Sequence, residues 1–380
     1  MKHYDVIIIG AGIIGSSIAY FLSRKGCSNV LVIDKGGIAS GITGICPGGI
    51  RQQWGTDINC RMAKYSTDFF QEINENLEPI HEIMYRNVGY LYTFHSEDAI
   101  DNYKSNIVLQ NLNDIPTKLI TPNEAKQIIP GINVNSFIAA SFCPTDGFVD
   151  DAYHVTNSFA DAAKRKGVTF ISDEVEEIVV EQNVVKGVSC INGNKISSDI
   201  VINAAGLGSK RIAKTAGIDL PIEFEVRRIL YTNRVEERIL EPLLVSFEKG
   251  FAAKQLTDGT LYLSYLGKDL KPPYNMFDFQ YKAAEVGMEI FPPLENVVFK
   301  THVDGTYDST PDHQAILGDV DGLVGYYQAV GMSGHGFMMS PAIGEAVSSI
   351  VLGNPPINNI ESLNYGRFQK NQLIFEPSVV

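Results

Sequence analysis

The feature that most restricts how this chain can fold is Gly10-Ala11-Gly12-Ile13-Ile14-Gly15, which directly follows the apolar run Val6-Ile7-Ile8-Ile9. An apolar stretch through Ala19 and Leu22 comes next and closes near Gly26, so the order predicts a buried strand turning into a helix. In such a unit the first glycine permits the tight turn, the second lets the backbone approach a pyrophosphate, and the third lets the helix pack closely on the strand. A second apolar run, Val30-Leu31-Val32-Ile33, ends in Asp34, nineteen positions after Gly15. An acidic side chain there can accept hydrogen bonds from the adenosine ribose hydroxyls, which favours a free ribose over a 2′-phosphate. The expectation is a dinucleotide-binding βαβ unit with the phosphates at the helix N-terminus. The same three glycines argue against reading Met1-Lys2-His3 and the apolar stretch behind it as a signal peptide or a membrane span.

This unit alone leaves NAD and FAD open, because both place ADP on it. After Asp34 and Lys35 comes the permissive segment Gly36-Gly37-Ile38-Ala39-Ser40-Gly41-Ile42-Thr43-Gly44, continuing through Pro47-Gly48-Gly49-Ile50-Arg51-Gln52-Gln53-Trp54. So long a flexible backbone is costly to order without a ligand, and it can run beside an extended cofactor while donating N–H and hydroxyl groups. Lys35, Ser40, Thr43, Gly44, Gly48, Gly49 and Ile50 are its expected contacts. A third segment, Asp199–Ser209, reads as a strand running into a turn of small residues, which brings Ala204, Ala205 and Gly206 to the cofactor. With a helix at Asp161–Lys166 and a strand near Val175–Val180, it is expected to complete the same sheet, with Val175 at the cofactor.

The C-terminal part supplies Thr310-Pro311-Asp312, Gly318, the strand Gly325–Val330, and the turn from Gly331 to Pro341. A helix follows, with Ser340 as N-cap, Pro341 at N1, apolar positions from Ala342 to Val351 at helical spacing, and Gly353 as the C′ residue. A helix end carries roughly half a positive charge, and behind a glycine turn it can stabilise the negative charge that develops at the N1/C2 carbonyl edge of a reduced flavin. Composition sets outer limits. At 380 residues, 44% hydrophobic and 20% charged, the chain is expected to be a globular enzyme of two intertwined domains. A formal charge of −13, with no basic run longer than Lys164-Arg165-Lys166, argues against nucleic-acid binding. Five scattered cysteines without a C-x-x-C spacing indicate neither a metal site nor a disulfide framework.

Taken together, GAGIIG, ASGITG…GGIRQQW, INAAGLGS, TPD and GMSGHGFMMSPAIGE resemble the FAD-dependent D-amino-acid-oxidase and glycine-oxidase superfamily over essentially the full length. The SGHGFMMSPAIGE stretch is similar to sarcosine oxidase β subunits and to the β subunits of dye-linked L-proline dehydrogenases. The resemblance implies an α/β (α+β) fold: a Rossmann-like FAD-binding domain from 1–86, 146–220 and 299–380, and a substrate domain on a mixed or antiparallel sheet from 87–145 and 221–298. It implies FAD, with Gly305, Gly331, Gly334, His335, Gly336, Phe337 and Met338 around the flavin, and oxidation of an amine or amino acid to an imine by hydride transfer to flavin N5. A partner subunit or a homo-oligomer accompanies this in relatives. A cytoplasmic location is the simplest expectation, peripheral to a membrane if electrons pass to a quinone.

The departures are informative. Monomeric relatives attach FAD through a cysteine just before TPD, whereas Gly305-Thr306-Tyr307-Asp308-Ser309 has none, so FAD is expected to be non-covalent. Those relatives bind the substrate carboxylate through a lysine where this chain has Met338; because they also use an arginine in the segment that holds Arg51, the resemblance makes Arg51 the leading candidate. Where heterotetrameric relatives link FMN to a histidine, this chain has Asp151, with His154 nearby, and no covalent FMN is expected. Tyr262, Tyr265 and His335 are candidates for taking the substrate amine's proton. Lys254, His302 and His313 are weaker ones, and Trp54 either walls the site or packs. Two alternatives stay open on the residues: a hydroxy substrate such as glycerol 3-phosphate or a 2-hydroxy acid, and a partner-dependent subunit that carries electrons.

Overall fold

The computed structural model describes residues 2–267 and 269–378; the expected ends of the cofactor half at 1 and 379–380 lie outside them. The strand Val6–Ile9 is buried throughout and pairs in parallel with Val30–Asp34 on one side and Val201–Asn203 on the other. The next strand inward is Leu323–Val330, which lies between Val201–Asn203 and Val184–Cys190. These strands belong to a ten-stranded sheet and carry apolar runs because both of its faces are covered. Ile8, Val30, Val32 and Ile202 pack under the helices Ile13–Arg24, Asp57–Gln71, Ala152–Arg165 and Gly336–Val351. Ile7, Ile9, Leu31 and Val201 face a meander of Val175–Glu181, Val184–Cys190 and Lys195–Ser198. Each such isoleucine or leucine stabilises the fold by about 1.5–3 kcal/mol.

The helix Gly336–Val351 begins five residues before the expected start at Pro341, with His335 rather than Ser340 at its N-cap. Gly331 and Gly334, at φ +67 and +86, and Ser333, at φ +49, end the preceding turn early. Pro341 therefore sits inside the helix, and the neighbouring Ala342 N–H donates to Ser66 Oγ at 3.2 Å. Its other end is as expected: Gly353 has φ +72, its N–H donates to Ile350 O at 3.0 Å, and Asn354 N–H donates to Ser349 O at 2.9 Å. The helix crosses Ile13–Arg24 closely at Gly344, where a Cβ would lie 2.2 Å from Ser17 Oγ. The expected helix at 161–166 is the last part of Ala152–Arg165, whose N-cap Asp151 accepts from His154 N at 2.9 Å.

The second sheet has eight strands in the order Phe299–Ser309, Glu223–Arg234, Thr260–Tyr265, Phe251–Gln255, Leu243–Ser246, Tyr90–Phe94, Ala139–Cys143, Lys118–Ile120. It is antiparallel apart from Leu243–Ser246, which runs parallel to Tyr90–Phe94. One strand departs from expectation: Phe299–Ser309, expected in the cofactor half, pairs with Glu223–Arg234 from Ser309↔Glu223 to Phe299↔Thr232. The helices Met276–Ile290 and Pro122–Ile128 pack on one face of this sheet, and the other face turns toward the first sheet. Buried Asp146 ties the two together, accepting from Gln52 N at 2.8 Å and from Gln53 Nε2 at 3.0 Å. No helix among the described residues is long and apolar enough to cross a membrane.

Candidate active site

A cavity of about 630 Å³ runs between the sheets from Asp34, Asp173 and Val175 at one end to the turn Met332–Met338 at the other. Its first part is shaped by backbone. A Cβ on Gly10, at φ +110, would lie 2.3 Å from the Ala204 carbonyl oxygen, and one on Gly15 would lie 2.0 Å from Gly10 O. Gly12 caps the helix without a side chain, leaving its end bare except that Ile13 N–H donates to Thr43 Oγ1 at 3.3 Å. Asp34 holds the loop ahead of it, accepting from Ala11 N and Gly36 N at 2.8 Å each and from Ser40 Oγ at 3.3 Å. A bare helix end beside an acid-bearing strand end is the geometry that receives an ADP moiety.

Gly10, Gly12, Ile13, Ile14, Asp34, Lys35, Ser40, Thr43, Gly49, Val175, Ala204, Ala205, Gly206, Gly305, Gly334, His335, Gly336, Phe337 and Met338 all line the cavity. Gly15, Gly44, Gly48, Ile50 and Gly331, also expected there, do not. Each has a packing role instead. A Cβ on Gly44 would meet Ala39 O at 2.5 Å, one on Gly48 would meet Val149 O at 2.3 Å, and one on Gly331 would meet Thr310 Cγ2 at 2.6 Å. Ile50 is fully buried in a short pairing with Gly147. These glycines admit neighbouring chain rather than cofactor.

At the far end Met339 N is the first amide of the helix to bond back, to His335 O at 3.2 Å, so Gly336, Phe337 and Met338 present their N–H groups at the cavity wall. Asp308 supports this turn by accepting from Gly331 N at 3.1 Å; burial pushes its carboxyl up to about 6 against the effect of the turn's amides. The TPD motif is a brace. Asp312 is fully buried and receives Arg367 Nε at 2.8 Å and Nη2 at 3.0 Å, while Thr310 Oγ1 donates to Gln314 O at 2.7 Å. Burial opposes the charge on Asp312, yet Arg367 holds its carboxyl below the ordinary range.

The wall opposite the turn is one face of the eight-stranded sheet, with Tyr90, Arg227, Ile229, Leu243, Val245, Ala252, Tyr262, Ser264 and Tyr307. Tyr262 is among them and Tyr265 is not. An odd spacing along a strand places the two on opposite faces, and Tyr265 packs with Phe279 and Ala283 while its hydroxyl donates to Asp269. His335 is buried edge-on to Trp54, ring centroids 4.9 Å apart, and its Nε2 has no partner among the described residues. Burial, then Arg51 and His313, push its pKa down to about 3, so the ring is neutral.

Arg51 lines the cavity with its guanidinium already engaged. Nη1 donates to Gln53 O at 3.0 Å and Tyr92 Oη at 3.3 Å, Nη2 donates to Ser378 O, and the group stacks on Trp54 at 3.5 Å from the ring centre. Lys254 is a buttress behind the wall, donating to Pro47 O and to Val149 O at 3.1 Å, and burial lowers its pKa to about 8. His302, His313, Asp151 and His154 do not line the cavity. The residues that sequence reasoning missed are Arg227, Tyr90, Tyr307 and Asp308. Strand alternation was their available signal, but it gives no face without the pairing register.

The family model described as FAD dependent oxidoreductase, DAO, matches residues 5–350. The FAD-dependent oxidoreductase domain-containing protein 1 of Xenopus laevis is 26% identical, over 99% of this chain and 85% of that protein. The mitochondrial sarcosine dehydrogenase of Homo sapiens is 23% identical over 96% of this chain and 41% of its own length. Among solved structures, L-proline dehydrogenase from P. horikoshii superposes with a TM-score of 0.91 and 33% identity, covering 98% of this chain and 100% of that one. Glycine oxidase from Geobacillus kaustophilus, at 19% identity, shares the fold with a TM-score of 0.83 over 96% of this chain and 98% of that one.

Proposed function

The chain belongs to the DAO family of FAD dependent oxidoreductases, and on that premise we propose that it oxidises the C–N bond of an amino acid or secondary amine to an imine. The observation that carries this reading is the end-to-end similarity, at 33% identity, to an L-proline dehydrogenase. The cavity fits the cofactor: glycines that a Cβ would block clear the ADP end, and Gly336, Phe337 and Met338, whose amides open the helix before the first that bonds back, line the flavin end. FAD, when bound, supplies the acceptor for a hydride from the carbon beside the substrate nitrogen.

The protein's contribution is to orient the amine, exclude water and choose its protonation state. Ile229, Leu243, Val245 and Ala252 make the wall apolar, which disfavours an ammonium ion. Neither His335 nor the lining tyrosines serve as a base near neutrality. His335 is held at about 3, burial lifts the Tyr90, Tyr262 and Tyr307 phenols above their ordinary range, and Asp308 is engaged with the turn. The cavity therefore selects the neutral amine. Among the described residues the Tyr90 and Tyr262 hydroxyls make no hydrogen bond, which leaves them to orient the substrate. The imine leaves and hydrolyses in water. FAD is held non-covalently in this reading: residues 305–309 hold no cysteine, and burial pushes the thiol of Cys46, which lines the cavity, up to about 11.

The test is anaerobic mixing of the purified holoprotein with sarcosine, L-proline, D-proline or glycine while the flavin absorbance is followed. At least one is expected to bleach it. No bleaching by any of them, with flavin bound, would overturn the assignment.

A further inference from the structure

We propose that Arg227, not Arg51, is the residue that receives the substrate's carboxylate, and that Arg51 is a positioning residue; this rests on the reading of an amino-acid substrate above. Among the described residues the cavity wall carries Lys35, Arg51, Arg211 and Arg227 as its lysines and arginines. Lys35 and Arg211 stand at the ADP end, where both reach Glu174, at 4.0 and 3.4 Å. Arg51 is engaged by Gln53 O, Tyr92 Oη and Ser378 O and lies flat on Trp54. With three of its five N–H donors taken, both of those on Nη1 and one on Nη2, this guanidinium offers no free Nη1–Nη2 edge to a carboxylate.

Arg227 is arranged differently. Its Nη2 donates to Glu225 at 2.6 Å, its face lies over the Tyr307 ring at 5.4 Å, and its buried Nε has no partner among the described residues. An unpartnered buried donor is costly, and an anion entering the cavity would relieve it. The strand register gives it room. Arg227 faces Gly305 across the ladder, and a Cβ there would find nothing nearer than Ile45 Cδ1 at 3.7 Å. The next residue shows the contrast, since Arg228 points to the other face and is paired with Asp304 at 2.6 and 2.7 Å. Glu225 anchors one nitrogen and so fixes the plane of the guanidinium, as bidentate recognition of a carboxylate requires. Ile229, Tyr262 and Ser264 share this wall, so an amino acid held there by its carboxylate extends its amine carbon along the apolar wall.

The test uses oxidised holoprotein and a probe with no oxidisable amine. Cyclopentanecarboxylate and cyclopentanecarboxamide are titrated by calorimetry and by perturbation of the flavin spectrum, against wild type, Arg227→Gln and Arg227→Lys. With bound flavin unchanged, Arg227→Gln is expected to loosen the carboxylate about 10–100-fold and Arg227→Lys about 5–10-fold, while the carboxamide binds all three alike. The lysine variant serves as the measurement should the glutamine variant lose FAD. Carboxylate affinity within about threefold of wild type in either case, or a wild type that does not bind the carboxylate, overturns the proposal. If Arg227-dependent binding is seen but no member of the amine panel bleaches the flavin, the amine-oxidation reading falls and the anion site stands.

Discussion

Replacing Glu376 with glutamine should unfasten the segment that engages Arg51. The Glu376 carboxylate is 3% exposed and accepts Gly55 N at 2.9 Å and Ser378 N at 2.9 Å on Oε1, and Thr56 Oγ1 at 2.7 Å and Asn59 Nδ2 at 2.9 Å on Oε2. Glutamine has one acceptor oxygen, so whichever way the amide turns, its NH2 replaces an oxygen that accepts two hydrogen bonds. Losing two charge-assisted hydrogen bonds costs about 3–6 kcal/mol. Relief from burying a charge offsets part of this, leaving roughly 3 kcal/mol. Besides the bonds of Ser378 to Arg51 and Asn106, the segment is held by Ile374 N–H on Asp312 Oδ2 at 3.2 Å and by the amide of position 376 on Asp312 O at 3.1 Å. Native-state hydrogen exchange of these two amides should quicken by about 100-fold, at 1.4 kcal/mol per decade. Trp54, the sole tryptophan and fully buried beneath Arg51, gives a second readout, since its emission should become quenchable by acrylamide. Exchange at both amides within about twofold of wild type, with Trp54 still shielded, would refute the latch.

Three further outcomes are expected. Burial raises Asp146 from an ordinary 3.8 to about 6, a folded-state pKa above the unfolded one, so its stabilising contribution is present below the lower value and fades as pH rises through the higher. The unfolding free energy of wild type minus that of Asp146→Asn should therefore fall by about 3 kcal/mol between acid pH and neutrality, measured by urea titration; a constant difference contradicts it. Tyr262→Phe should change the rate of flavin reduction, whereas Tyr265→Phe, altered on the far face of the sheet, should not; equal effects in stopped flow would sink the face assignment. With His335 held at about 3, log(kcat/KM) should rise with pH until the substrate ammonium loses its proton, and His335→Gln should leave that apparent pKa in place. A displaced profile would make His335 the base after all.

The nucleotide half was legible because glycine acts locally: Gly10, Gly12 and Gly15 constrain the backbone at their own positions, whatever surrounds them. Apolar runs likewise announced the parallel strands. Three features escaped for a common reason, that partners far along the chain decide them. Arg51 is engaged by Ser378, 327 positions away. Phe299–Ser309 belongs to the sheet of its partner Glu223–Arg234, which no property of its own sequence reveals. Tyr262 and Tyr265 face opposite ways by their spacing, but which of the two meets the cavity follows from a pairing register that composition does not record. The start of the helix at Gly336 failed differently: Ser340-Pro341 carries a sound local start signal, and the positive-φ turn ending at His335 outweighs it.

The position of Leu323–Val330 inside the ten-stranded sheet has a consequence for how the protein is made. Val201–Asn203 is synthesised long before this strand, and one of its edges has no neighbour until residues 323–330 have left the ribosome. Exposed apolar edges are where nascent chains associate wrongly. A ribosome that stalls before this strand would release an open sheet rather than a smaller folded protein. Yield in a heterologous host should then depend on chaperone supply, and on translation speed across the codons that separate these two strands.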